Sequence, residues 1–218
     1  MNSIKTELIH DTDGRMLAFR NLGNLSIKPG NGEAKLLKSY IEQSYDGFDA
    51  GVYGISKEEY FRLRLEAISQ PVPGVTRRIA QFGVSSLAGL IQPEATSITR
   101  LQYDGLGRHT LAIKALDTRA GQITRREDLP AEQHDYEKLA AGLLCLELEK
   151  VNNRVRGIPY VSVKLLADSP DITWYESLGL RPDGESEDGD VIDYGIASVK
   201  KVHEKLVNAY PVLQNLSA

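Results

Sequence analysis

The stretch from Glu132 to Leu166 constrains the fold of this chain more than any other. Over Glu132 to Asn153, the apolar residues Tyr136, Leu139, Ala140, Leu143, Leu146 and Val151 recur at helical spacing along one stripe. Gly157 interrupts that period. Tyr160-Val-Ser-Val-Lys-Leu-Leu166 then has the β-branched and apolar content of a strand inside a sheet. A long helix leading straight into an interior strand is what a parallel crossover requires, because parallel neighbours cannot be joined by a tight turn. The expected class is therefore α/β, with strands of mixed direction.

The remaining segments fit around that unit. Asn24 to Lys28 reads as a short strand closed by Pro29-Gly30-Asn31-Gly32, and Glu33 to Ser44 reads as a helix. A second helix starts at Ser56, a capping residue with Glu59 three positions on, and ends at Pro71-Val72-Pro73-Gly74. Strands are expected over Thr76 to Phe82 and Leu87 to Gln92. A hairpin is expected between Ser97 to Tyr103 and Thr110 to Leu116, turning at Asp104-Gly105-Leu106-Gly107. Ala120 to Thr124 reads as a further strand or an excursion. Asp168-Ser169-Pro170 offers an N-cap for a short helix over Asp171 to Ser177, with Gly179 just past its end. Asp183 to Asp190 reads as an exposed hairpin loop, and Ile196 to Tyr210 as a closing amphipathic helix. Residues 1–23 are set aside as an N-terminal extension or an added edge strand, leaving 24–218 as a single domain.

Composition excludes several function classes. With 41% apolar and 26% charged residues among 218, the chain can bury a core. Its 26 basic against 30 acidic residues argue against a general grip on nucleic acid or anionic lipid. Charge interrupts every apolar run well short of a membrane span, and Glu7, Asp11 and Asp13 fall where a signal peptide would be apolar, so a cytoplasmic protein is expected. One cysteine, Cys145, permits no internal disulfide, and its place between Leu144 and Leu146 is that of a small core residue. His10, His109, His134 and His203 lack ligand spacing, so no metal is expected. Arg77, Arg78, Arg100, Arg108, Arg119, Arg125 and Arg126 concentrate mid-chain, but acids lie between them, and a mixed charged surface is the reading adopted.

Trp174-Tyr175-Glu176-Ser177-Leu178-Gly179-Leu180 resembles the helix that carries the tyrosine, glutamate and glycine signature of the GNAT (N-acetyltransferase) superfamily, with Leu180 where that signature ends in phenylalanine. The order of elements is similar too, from Leu25 to about Ile196. The resemblance implies a mixed, centrally splayed sheet flanked by helices. It also implies acetyl-CoA as acyl donor, an amine on a small molecule or protein as acceptor, and Tyr175 as the acid that protonates the leaving thiolate. In that family, amides at the start of the long helix hold the CoA pyrophosphate. Here these positions fall on His134, Asp135, Tyr136, Glu137, Lys138, Leu139 and Ala140. Asp168 stands where the family often has an asparagine that helps to hold the splay and the cofactor.

Two departures accompany the resemblance. The family's pyrophosphate loop is glycine-rich, so that the phosphates approach amides at the helix N-terminus closely; Glu132 to Ala141 contains no glycine and several acids. Alanine is usual four residues before the tyrosine, where this chain has Asp171. Acyl transfer to an amine also needs a carboxylate to take the ammonium proton, and Glu127 and Asp128 are candidates by position, just ahead of the long helix. Two functions follow: an acyl-CoA-dependent N-acyltransferase, or a GNAT-like binding or interaction module that has lost acyl transfer.

Overall fold

The computed structural model describes residues 6–21, 56, 58–59, 62, 74–83, 94–103, 108–118, 123, 136–185 and 191–216. The expected strand at 24–28, helix at 33–44, strand at 87–92 and turn at 104–107 lie outside them. The described elements are β1 (Thr6–His10), β2 (Met16–Asn21), β3 (Val75–Phe82), β4 (Ala95–Tyr103), β5 (His109–Thr118), α1 (Tyr136–Arg154), β6 (Tyr160–Leu166), α2 (Ile172–Ser177), β7 (Arg181–Glu185), β8 (Val191–Ser198), α3 (Val199–Ala209) and a 3-10 turn over Pro211–Asn215. Ser56 accepts a hydrogen bond from the Glu59 amide at 3.2 Å, as the capping spacing predicts.

The eight described strands form one sheet in the order β1-β2-β3-β4-β5-β6-β8-β7. Neighbours run antiparallel except β5 and β6, the parallel pair that α1 joins. The β4–β5 hairpin places Leu101 opposite Leu111, the register that its alternation demands. β6 has the span expected of it and lies inside the sheet between β5 and β8.

Residues 1–23 contribute β1 and β2. Asp11 builds the turn between them, accepting the Asp13 and Arg15 amides on Oδ1 at 2.9 and 3.0 Å. Gly14 supplies the positive φ of 75° that the turn needs. β2 pairs with β3 and is buried over Leu17 to Arg20, so it reads as continuous burial with no alternation.

α1 is more deeply buried than a single apolar stripe suggests, since every residue from Leu139 to Leu148 is buried. It packs on β2 to β5 and against α3. Gly142 is what permits this: a Cβ there would stand 2.4 Å from the Phe19 ring of β2, so only hydrogen lets helix and sheet approach so closely.

Three boundaries differ from expectation. Ile196 to Ser198 belong to β8, and α3 begins only at Val199, because the Ser198 hydroxyl accepts the Lys201 amide as its N-cap. Part of the expected loop after Pro182 is strand: β7 extends to Glu185 and tolerates Pro182 because it is an edge strand with a register shift there. The N-cap of α2 is Asp171, and its side chain makes no cap bond to its own helix. Among the described residues, no helix is long and apolar enough to cross a membrane.

Candidate active site

β5 and β6 are paired only from Thr110 opposite Tyr160 to Ile113 opposite Val163. Beyond that point they part, β5 remaining with β4 and β6 with β8. The opening is a cavity of about 340 Å³ between Lys114 to Asp117 on one side and Lys164 to Leu166 on the other. Strand edges that have parted leave backbone groups without ladder partners on each other, and such groups can bind an extended polar chain.

α2 brings Tyr175 to this cavity. The helix is stopped by a Schellman arrangement in which the Gly179 amide donates to Glu176 and the Leu180 amide to Tyr175, with Gly179 at φ 91°. Leu180, in the place of the family's phenylalanine, is buried in the core. Tyr175 is 2% exposed, and no described residue hydrogen-bonds its hydroxyl. Burial, with the carboxylates of Asp171 and Asp117 nearby, pushes its pKa far up, so the phenol stays protonated.

Asp171 holds the cavity from below. Its Oδ1 accepts the Ile123 amide at 2.7 Å, tying the segment after β5 to the start of α2, which is why the side chain is unavailable for capping. Asp168, by contrast, is exposed in the turn after β6. Trp174 lies edge-on to Tyr175 with ring centroids 4.9 Å apart, and its Nε1 donates to the Tyr210 hydroxyl at 3.0 Å. Tyr210 in turn donates to the carboxylate of Glu137 in the first turn of α1.

The positions assigned to the pyrophosphate fall into three groups. Leu139 and Ala140 are fully buried core residues, whose side chains face no solvent. Tyr136, Glu137 and Lys138 are half-buried: Tyr136 packs on Phe82, Glu137 holds Tyr210, and Lys138 donates to Asp11 Oδ2 at 3.2 Å. His134, Asp135, Glu127 and Asp128 lie outside the described residues.

Sequence reasoning passed over Asp117. It is exposed at the end of β5, lines the cavity with Tyr175, and is, with Asp171, one of two carboxylates that act on the phenol. Its signal was an acid placed directly after the expected strand, which ends at Leu116.

The arginine cluster also needs correction. Arg77 and Arg78 are buried, not part of a mixed surface, while Arg100 and Arg108 are exposed. Arg78 Nε meets Glu147 Oε1 at 2.5 Å beneath α1, a pair that a linear sequence conceals.

No protein-family model and no curated protein matches this chain. Among solved structures, an uncharacterized protein of Bacillus halodurans is similar over 99% of this chain and 100% of its own, at 12% identity and a TM-score of 0.56. Apo FdhC, a nucleotide-linked sugar GNAT, is similar over 90% of this chain and 94% of its own, at 9% identity and a TM-score of 0.51. This chain has a divergent GNAT-like fold. In the GNAT-like frame, β5 and β6 are the splayed central strands, α1 is the long helix between them, and α2 is the signature helix. At such identities the likeness carries architecture, and the chemistry has to be argued from the site.

Proposed function

We propose that this protein is an acyl-CoA-dependent N-acyltransferase, acetyl-CoA being the expected donor and an amine the acceptor. The observation that carries the reading is the opening between β5 and β6 with the unbonded hydroxyl of Tyr175 at its wall. The parted strand edges would hold the pantetheine arm and orient the thioester, so that proximity lowers the barrier to direct attack. Asp117 accepts the proton of the attacking amine nitrogen as the N–C bond forms. Tyr175 donates its phenolic proton to the sulfur as the C–S bond breaks, and proton transfer from Asp117 through water restores the phenol. Glu127 remains a second candidate for the base, by its place after β5.

Glu137 favours a second reading, a GNAT-like module without acyl transfer, because it puts a carboxylate at the helix terminus where a pyrophosphate would need positive potential. Calorimetry with acetyl-CoA separates the two. For the enzyme, binding is measurable, and Tyr175→Phe lowers acyl-CoA consumption by roughly ten- to ten-thousand-fold, the usual range for one proton-transfer group. The melting temperature should change little, since the ring packing is retained. Equal turnover in the two proteins would refute Tyr175 as the acid, and no CoA binding would leave the module reading.

A further inference from the structure

A second cavity, of about 230 Å³, lies at the opposite end of β5, between the last turns of α1 and the sheet. Its walls come from the start of β3 at Gly74 to Thr76, from Thr99 and Leu101 of β4, and from Glu147, Lys150 and Arg154 of α1. Among the described residues, it shares no lining residue with the cavity at Tyr175. The volume corresponds to several water molecules, or to one small molecule of a few heavy atoms.

Among the described residues, the charge around this cavity is unbalanced. Glu147 is the carboxylate that the described residues contribute to its lining, and its side chain is 2% exposed. That carboxylate is already engaged three times: by Arg78 Nε at 2.5 Å, by the Thr99 hydroxyl at 3.2 Å, and by Lys150 Nζ at 3.8 Å. Arg78 and Glu147 neutralise each other behind the wall. Lys150 and Arg154 then leave about two positive charges facing the space. Lys150 is anchored by donating to Thr76 Oγ1 at 2.7 Å, which fixes the ammonium at the rim and leaves the Thr76 hydroxyl proton to donate elsewhere. Burial, offset in part by Glu147, and the neighbouring cations Arg78 and Arg154 together hold the pKa of Lys150 below its ordinary value. A surplus cation confined this way gains from an added anion.

Gly74 shapes the floor. Its φ is 77°, and a Cβ would meet the Leu101 carbonyl oxygen at 2.7 Å, so the backbone here can close only around glycine. The Leu101 amide is satisfied by the Gly74 carbonyl at 2.8 Å, which leaves side chains as the donors to a ligand.

We infer that this cavity binds a small phosphate- or carboxylate-bearing molecule, held by Lys150 and Arg154 with the Thr76 hydroxyl as a third donor. The site is distinct from the proposed acyl-transfer site, so its test stands whether or not the protein uses acyl-CoA.

The probes are inorganic phosphate and succinate, each titrated against sodium chloride at matched ionic strength. Thermal melting should rise with the logarithm of the concentration of at least one of them, by roughly 3–6 °C at tenfold excess over Kd. Amide shifts in NMR should localise to Gly74, Thr76 and Thr99. Lys150→Met and Arg154→Gln should each abolish both responses. Arg154 is exposed, so its variant keeps the test available if Lys150→Met fails to fold. The inference is overturned if neither anion raises the melting temperature above its sodium chloride control, if both variants respond like the wild type, or if the shifts fall at the start of α1 instead.

Discussion

Gly142→Ala should destabilise this protein even though alanine is the better helix former. A Cβ at Gly142 would stand 2.4 Å from two carbons of the Phe19 ring, and Phe19 is 1% exposed. Carbon atoms pack best at about 3.5–4.0 Å, so the ring would have to retreat by about 1 Å into a filled core. Overpacking of this kind costs about 1–3 kcal/mol, whereas replacing glycine inside a helix gains about 1 kcal/mol. The clash wins, with a net loss of up to about 2 kcal/mol and a fall in Tm of up to about 8 °C. Trimming the ring reverses the sign: in a Phe19→Leu background, Gly142→Ala should stabilise by about 1 kcal/mol, because propensity then acts alone. Urea unfolding of the four proteins, followed by the fluorescence of Trp174, gives the cycle, and the expected coupling is about 1–3 kcal/mol. If Gly142→Ala stabilises the wild type, or shifts both backgrounds equally, contact with Phe19 is not the reason for the glycine.

Other outcomes follow from the electrostatics. The Cys145 thiol is pushed up to about 12 by burial and by the Glu149 carboxylate, so at pH 8 only about one molecule in ten thousand carries a thiolate. Native protein should resist alkylation and react only as urea unfolds it. Burial raises the pKa of Asp11, but hydrogen bonds from the Arg15 and Asp13 amides and from Lys138 outweigh this and hold it below the ordinary aspartate value. Its stabilisation is therefore present above about pH 4 and lost as pH falls through the lower folded value. Asp11→Asn should lower Tm at pH 7 by an amount that shrinks toward pH 2; a constant difference would refute this. Under the acyltransferase reading, Glu137→Gln should tighten acetyl-CoA about two- to fivefold in calorimetry by removing an anion near the phosphates, while glutamine still accepts from Tyr210. Unchanged affinity would place the pyrophosphate elsewhere.

The local elements were legible where one period governed them. Tyr160 to Leu166 and the Leu101 to Leu111 register could be read because β-branched content and strict alternation leave one solution. β2 was not read, because Leu17, Ala18, Phe19 and Arg20 are all buried and show no alternation. The Asp13-Gly14 pair was the available hairpin signal. Glu147 looked like one more helix charge, and only the fold brings Arg78 to it from 69 residues away. Tyr175 was legible as a candidate because a local segment similar to the GNAT signature carries it. Asp117 was not, since its place at the candidate site depends on the parting of β5 from β6, a relation between strands more than forty residues apart in sequence.

The choice between enzyme and emptied scaffold turns on what the phenol of Tyr175 gains by being a phenol. A tyrosine that merely packed α2 onto the sheet would do so as well as phenylalanine, so the hydroxyl has to be explained by something other than packing. Tyr210 shows the alternative in the same protein, with its hydroxyl donating to Glu137 and accepting from Trp174. Tyr175 stands beside that network, with its ring edge-on to Trp174, yet its hydroxyl is bonded to none of the described residues and lies at the wall of the opening. The network fixes the aromatic pair from one side and leaves the phenol's proton for whatever enters on the other. Glu137 therefore counts less against acyl-CoA than its charge suggests: the carboxylate at the helix terminus is part of what holds the proposed acid in place.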